Sequence, residues 1–191
     1  WHDGSAMDDS KVDGVIYIKK SDKYYKRQYE KYVNIDWFSP AKDGVTDDAP
    51  KFQEAVNYLK SIGGGTLLIP VGNYAISHVD LIGKEYSNIH FKGERGVKFF
   101  QKITSTRVAR GSYLTFARYD QADGMFLINA NIGTTFDSSQ SVNNIKFTGI
   151  DFETDVETYM FDELLHQICA YGVNNLKIDE CNFKGFLSDA I

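Results

Sequence analysis

The chain has 191 residues, of which 21 are Lys or Arg and 26 are Asp or Glu, so its formal net charge is −5. This balance excludes a nucleic-acid binder held by overall positive charge, because phosphate neutralisation needs a basic surface. The hydrophobic fraction of 42% indicates a globular protein with ample core material, and no apolar run reaches the roughly 18 residues of a membrane span.

The first segment of the chain has the pattern of a β-hairpin. β-Branched and aromatic residues on either side of the polar stretch 20–23 predict two short strands within residues 15–29. The hairpin is basic and two-sided, so it should pack on the following domain or on another chain. We therefore expect residues 1–33 to form an N-terminal appendage and residues 34–191 to form the main unit.

An amphipathic helix is predicted over residues 48–61. Its apolar residues recur at helical spacing and share one face: Phe52, Ala55, Val56, Leu59 and Ile62. Thr46, Asp47 and Asp48 supply a hydroxyl and carboxylates that predict an N-terminal helix cap. Glycines at 63–65 end the helix.

Short strands follow the helix, and they repeat. Residues 142–152 and 173–183 match at Val, Asn, Asn, Lys and Phe with an offset of 31. A third copy at 87–93 begins the same way, with Asn88 lying 56 residues before Asn144. We interpret 56 as two periods, which predicts an intermediate copy at residues 113–116.

Each copy describes a strand, a tight bend and a second strand, and a third strand precedes it at residues 124–128 and 167–171. Three short strands per turn, with turns about 4.8 Å apart, predict a parallel β-helix whose first turn is covered by the helix. The offset of 31 places three pairs of residues in successive turns: Asn144 with Asn175, Ile150 with Cys181, and Phe152 with Phe183.

The outer surface of this coil carries the catalytic candidates, Asp151 and Glu153. They are two residues apart on one strand, so their side chains project to one face with backbone positions roughly 6.5–7 Å apart. Carboxylates at about 5–9 Å suit glycosidic acid–base chemistry. The next turn places Asn182 over Asp151 and Lys184 over Glu153. The alternative reading is an ordinary solvated face.

No cofactor is predicted. Four acidic residues in the connection after this strand offer Ca²⁺ as the alternative, although their spacing matches no defined calcium loop: Asp155, Glu157, Asp162 and Glu163. Cys169 and Cys181 form neither a disulfide framework nor a C-x-x-C site.

Residues 43–74 and the segment that precedes them carry a family resemblance. The run at residues 43–48, the helix with Gln53 and Ala55, and the run at 63–74 resemble the opening of the pectate-lyase-like single-stranded right-handed β-helix superfamily. The residues before residue 39 are most similar to a bacteriophage tailspike depolymerase. Residues 38–44 lack two glycines that the superfamily commonly shows at this entry, so the local bend should differ.

The resemblance implies an all-β, right-handed parallel β-helix with an N-terminal capping helix and a preceding hairpin. It further implies the N-terminal portion of a tailspike-type depolymerase that binds and cleaves bacterial surface polysaccharide by hydrolysis or β-elimination. The implied partners are the polysaccharide, a phage tail or baseplate protein and two further copies in a homotrimer, at the virion tail or in the extracellular space. We expect the chain to continue after Ile191.

Two alternatives stay open at this stage. The chain is a non-catalytic assembly or trimerisation module of a tailspike, or it belongs to a secreted bacterial pectate-lyase-like enzyme. The first alternative predicts oligomerisation without glycan degradation, and the second requires a signal peptide upstream of Trp1.

Overall fold

The computed structural model describes residues 2–3, 8–28, 32–102, 123–129, 138–155, 165–185 and 191. Its strands are β1 (His2–Asp3), β2 (Tyr17–Lys20), β3 (Lys23–Lys26), β4 (Tyr32–Asn34), β5 (Asp43–Asp47), β6 (Gly65–Ile69), β7 (Asn73–Ile76), β8 (Val79–Leu81), β9 (Ile89–Gln101), β10 (Asp123–Ile128), β11 (Val142–Glu153), β12 (Leu165–Ala170), β13 (Val173–Asp179) and β14 (Asn182–Lys184). Helix α1 spans Ala49–Ser61, and single 3-10 turns lie at Asp9–Lys11, Ile35–Phe38, Lys84–Tyr86 and Ser138–Gln140.

The N-terminal strands form a small antiparallel sheet. β2 pairs with β3 as a hairpin, and β1 adds to the other edge of β3. Val15 and Ile16 at the base of the hairpin are 9% and 3% exposed and belong to the main core. The Arg27 guanidinium lies 4.4 Å from the centre of the Trp37 ring. The hairpin is therefore packed against the rest of the chain at its base.

The remaining strands form a coiled sheet in which every pairing is parallel. We call the row formed by β4, β6, the first half of β9, the first half of β11, and β13 the first face. The second face consists of β5, β7, the second halves of β9 and β11, and β14. The third face consists of β8, β10 and β12. In the described residues, each of the three turns from β6 to β12 thus adds one strand to each face.

The interior of the coil is a set of aromatic columns. Along the second face, Tyr74, Phe99, Phe152 and Phe183 stand in register on successive strands. Phe152 and Phe183 stack in parallel planes with centroids 4.8 Å apart, which confirms their predicted stacking. On the first face, Phe91 and Phe147 stack at 4.8 Å as well. Burial of this apolar surface is the main driving force for coil formation.

The predicted asparagine column is also present. The Asn175 side-chain amide donates to the Asn144 side-chain oxygen at 2.8 Å, and the Asn144 amide donates to Asn88 at 2.8 Å. All three have left-handed backbone conformations, with φ between 57° and 64°. Asparagine tolerates this conformation and forms the bend between the third and first faces.

Cys181 lies beside Ile150 of the preceding turn. The residues that follow each of them, Asn182 and Asp151, are paired in register. Cys181 is half-buried against the core, and its thiol donates to the Asp179 carbonyl at 3.3 Å. Burial raises the pKa of the Cys181 thiol. Its environment is that of a packing residue.

The prediction of an intermediate copy is wrong. β9 pairs directly with β11, with Phe91 opposite Phe147, so the 56-residue offset is a single turn. A long connection between β9 and β10, rather than an additional turn, accounts for the spacing. Residues 113–116 themselves lie outside the described residues.

Helix α1 buries the expected face, with Phe52, Ala55 and Val56 fully inaccessible. The Phe52 ring lies edge-on to Tyr74 at 5.5 Å and to Phe99 at 5.2 Å, so the helix packs on the aromatic columns of the coil. Ile62 was expected on the same face but is 50% exposed, because the helix ends at Ser61 and the backbone turns away.

The predicted cap differs in detail from the observed one. Asp48 occupies the N-cap position, but its carboxylate is directed to the backbone N–H groups of Ala41 and Lys42, at 2.6 and 3.1 Å. The Thr46 hydroxyl donates to Asp43. Asp47 alone accepts from the first helical N–H, that of Ala49, at 3.1 Å. The cap prediction is wrong for Thr46 and Asp48 because these side chains fix the preceding bend instead.

Candidate functional site

The outward side of the second face carries both catalytic candidates. Asp151 and Glu153 flank the inward-pointing Phe152 on β11, and both are half-buried. Asp151 stands in register with Lys98 on one side and Asn182 on the other. Glu153 stands in register with Phe100 and Lys184. The predicted placement of Asn182 and Lys184 in the next turn is confirmed.

Each carboxylate has a specific polar partner. The Lys98 ammonium lies 3.1 Å from Glu153 Oε1, as a diagonal ion pair across two strands. The Asn182 amide donates to Asp151 Oδ1 at 2.6 Å. Lys184, the cation expected over Glu153, is adjacent in register, but the short contact is made by Lys98.

These partners bear on the chemistry available to the face. In these contacts both carboxylates are the acceptors, Glu153 of the Lys98 ammonium and Asp151 of the Asn182 amide. Ionised carboxylates accept protons or attack as nucleophiles, whereas glycosidic hydrolysis also needs a proton donor. The arrangement therefore suits the base of an elimination or the nucleophile of a hydrolysis better than an acid–base pair made from these two residues alone.

Sequence reasoning missed Lys98 as a partner of Glu153. The bend in β9 contains four residues, Gly93–Gly96, where β11 has only Gly149, so the register shifts between the two halves of these strands. A search for constant offsets does not detect such a shift. Alternation of Lys98 and Phe100 around the buried Phe99 was the one usable signal.

The outward side of the first face holds a second polar group. His90 Nε2 lies 2.9 Å from the Thr148 hydroxyl. Burial, followed by the positive charges of Lys146 and Lys92, lowers the pKa of His90. Lys146 and Lys177 both contact Asp179, and these ion pairs lower the pKa of the Asp179 carboxyl.

A groove of about 630 Å³ runs between α1 and β8. Its lining includes Gln53, Asn57, Lys60, His78 and Tyr86. The hydroxyl of Tyr86 donates to Asn57 at 2.6 Å, and the Lys60 ammonium lies 4.6 Å from the Tyr86 ring centre. The groove contains neither catalytic candidate.

Of the four acidic residues considered for Ca²⁺, only Asp155 belongs to the described part of the chain; Glu157, Asp162 and Glu163 lie outside it. Within the described ranges, no group of three or more His, Cys, Asp or Glu side chains converges as a metal site.

Helix α1 is too short and too polar to cross a membrane, and no other described helix qualifies.

Comparison of sequences gives no match, either to a protein-family model or to a curated protein. Comparison of structures does. An iota-carrageenase complexed to iota-carrageenan fragments superposes with a TM-score of 0.55 at 23% identity, over 82% of this chain and 29% of that one. The iota-carrageenase of family GH82 from A. fortis gives 0.51 at 22% identity, over 88% and 31% of the two chains.

A viral protein, ORF18 of Geobacillus virus E2, superposes with a TM-score of 0.53 at 17% identity over 93% of this chain and 33% of that one. At these identities the likeness establishes the fold alone. The chain spans about a third of the length of the structures it resembles. It shares with them a mostly β architecture built on a parallel, curled sheet.

Proposed function

We propose that the chain is part of a tailspike-type depolymerase that binds and cleaves bacterial surface polysaccharide. The parallel sheet described above is then the N-terminal end of a right-handed parallel β-helix, with α1 covering its first turn. Support comes from structural likeness to two iota-carrageenases and to a viral protein. The location that follows is the virion tail or the extracellular space.

The observation that carries the proposal is the outward pairing of Asp151 and Glu153 on β11, with Lys98 at 3.1 Å from Glu153. In this proposal Glu153 acts as the base or nucleophile, and the Lys98 ammonium holds its carboxylate in position. Asp151 is oriented by the Asn182 amide toward the same surface. A glycan lying across the second face would contact both carboxylates.

The test is incubation of the protein with a panel of purified capsules and lipopolysaccharides, followed by two assays. New reducing ends without ultraviolet absorbance from an unsaturated product indicate hydrolysis, and both signals together indicate β-elimination. Absence of both signals across the panel contradicts the enzymatic proposal. The E153Q variant separates activity of this face from contaminating activity.

The second candidate is a non-catalytic assembly module, and the N-terminal hairpin favours it. Lys19, Lys20, Lys23 and Lys26 line β2 and β3, and all four are exposed. In the described residues β2 pairs only with β3. On its other edge the Tyr17 backbone bonds to residues 13 and 14, and residues 18–20 form the edge offered to a partner. This candidate predicts a homotrimer, or a complex with a tail or baseplate protein, without glycan cleavage. Light scattering that detects only monomers contradicts the trimer.

A further inference from the structure

Three lysines lie on the outward side of the first face, on three successive turns. They are Lys92 on β9, Lys146 on β11 and Lys177 on β13. Lys146 and Lys177 are directly opposite each other in register, with side chains 34% and 59% exposed. With strands about 4.8 Å apart, the three cations extend over roughly 10 Å along the coil. We call these three residues the lysine strip.

Folding alone does not account for the strip. Like charges directly opposite on neighbouring strands are destabilising. One carboxylate oxygen, Asp179 Oδ2, lies 3.2 Å from the Lys146 ammonium and 3.1 Å from the Lys177 ammonium, so a single negative charge serves both cations. A structural ion pair would need only one of these lysines.

The surroundings leave the strip positive. Lys92 is exposed and takes part in no ion pair within the described residues. Its column contains Leu68, Thr148 and Asp179, and the neighbouring column contains Thr66 and His90. Asp179 is the only carboxylate in these two columns of described strands, which therefore hold three lysines and one carboxylate, while Glu94 and Glu180 lie in the bends that follow. The catalytic candidates lie on the other side of the bend, on the second face.

We propose that the lysine strip is an auxiliary binding site for the anionic groups of a glycan, either carboxylates or sulfates, separate from the Asp151 and Glu153 surface. Anionic groups repeated along a glycan can contact lysines of successive turns together. The exposed amides of Asn144 and Asn175 border the strip and offer hydrogen bonds to neutral hydroxyls. The choice of a glycan as the polyanion depends on the proposed function.

The test compares dextran sulfate with unmodified dextran, which share one backbone and differ in charge. We expect dextran sulfate to bind the full chain, and to bind more weakly as salt is added, because exposed charges are screened. K146Q/K177Q should weaken this binding by roughly tenfold, which corresponds to a loss of about 1.4 kcal/mol of charge interaction. The matched control K51Q/K84Q removes the same charge from α1 and from the turn at Lys84–Tyr86, outside both the strip and the hairpin, and should bind like wild type.

Asp179→Asn should have the opposite effect on the affinity for dextran sulfate. It removes the carboxylate that competes with the ligand for Lys146 and Lys177, so binding of dextran sulfate should become tighter. Equal binding of dextran and dextran sulfate overturns the proposal, as does an equal loss in both double variants. Binding of duplex DNA as tight as that of dextran sulfate overturns the assignment to a glycan.

These measurements are independent of cleavage. Binding is measured with polymers that need not be substrates, while reducing ends and unsaturated products report on the Asp151 and Glu153 face. Absence of dextran sulfate binding with glycan cleavage intact would overturn the proposed role of the lysine strip alone. Binding without cleavage would support the strip and contradict the enzymatic proposal.

Discussion

The side chain of Gln53 pairs with the backbone of Asp80 as a neighbouring strand would. Its carbonyl oxygen accepts the Asp80 N–H at 2.8 Å, and its amide donates to the Asp80 carbonyl at 3.0 Å. Asp80 is the middle residue of β8, the first strand of the third face, and in the described residues β8 pairs only with β10. The Gln53 side chain therefore supplies hydrogen-bond partners to the edge of β8 that no preceding strand covers.

We expect Gln53→Leu to lower the free energy of unfolding by about 1–3 kcal/mol, because two backbone groups lose their partners. Glu54→Gln, on the exposed neighbouring position, removes only the surface ion pair with Lys51 and should change stability by less than about 1 kcal/mol. Urea titration of the three proteins measures the difference. Equal stability of Q53L and wild type would show that water replaces the amide at no cost.

The asparagine column yields a prediction that separates conformation from hydrogen bonding. Asn144 has φ 57° and bonds to both Asn88 and Asn175. Asn144→Ala should destabilise the coil because alanine is strained in this conformation by about 1–2 kcal/mol and the amide bonds are lost. Asn144→Gly relieves the strain but loses the same bonds, so it should be more stable than N144A. The opposite order, measured by thermal unfolding, would exclude backbone strain as the dominant effect.

The interior columns and the helix were predictable from sequence because they depend on local spacing. Phe152 and Phe183 each lie three residues after an equivalent bend residue, Gly149 or Glu180, so their offset of 31 equals one turn. The offset of 56 between Asn88 and Asn144 was misread because a long connection and a short extra turn give the same number. Periodicity cannot distinguish the two, whereas packing of Phe91 directly on Phe147 does.

The polar partners were harder to predict, since each depends on side-chain direction across strands. The ion pair of Glu153 with Lys98 is diagonal and follows a register shift, so neither strand indicates it alone. Asp48 likewise is of a residue type that favours the N-cap of a helix, but the nearby N–H groups of Ala41 and Lys42 compete for its carboxylate. The sequence therefore indicates which positions are acidic, whereas the packing of the strands determines which groups contact them.

The pH dependence of stability should have a contribution from His90. Burial and the nearby Lys146 and Lys92 lower the pKa of His90 below its usual value, while Asp179 acts in the opposite direction. The unfolded chain therefore binds a proton at a higher pH than the folded chain does. Stability is retained above the unfolded pKa of about 6.5 and is lost as the pH falls from there toward the folded pKa.

Histidine substitution provides the check on this contribution. His90→Gln retains a polar side chain near Thr148 but does not titrate, so its loss of stability between neutral and mildly acidic pH should be smaller than that of wild type. His78→Gln, at another half-buried histidine, serves as the control. The difference in unfolding midpoint between H90Q and wild type should therefore change in favour of H90Q as the pH falls across this range. Parallel curves for the two proteins would exclude His90 as the source.

The ion pair on the second face leads to the prediction on catalysis. If Glu153 accepts a proton or attacks the sugar, Glu153→Gln should lower the cleavage rate by roughly a hundredfold or more while the fold is retained, because the amide is isosteric but neither basic nor nucleophilic. Lys98→Gln should retain part of the activity, since Glu153 stays in place but loses its ion-pair partner at 3.1 Å. A circular dichroism spectrum of K98Q identical to that of wild type would distinguish loss of the ion pair from misfolding. Unchanged rates in E153Q would move the chemistry away from this face.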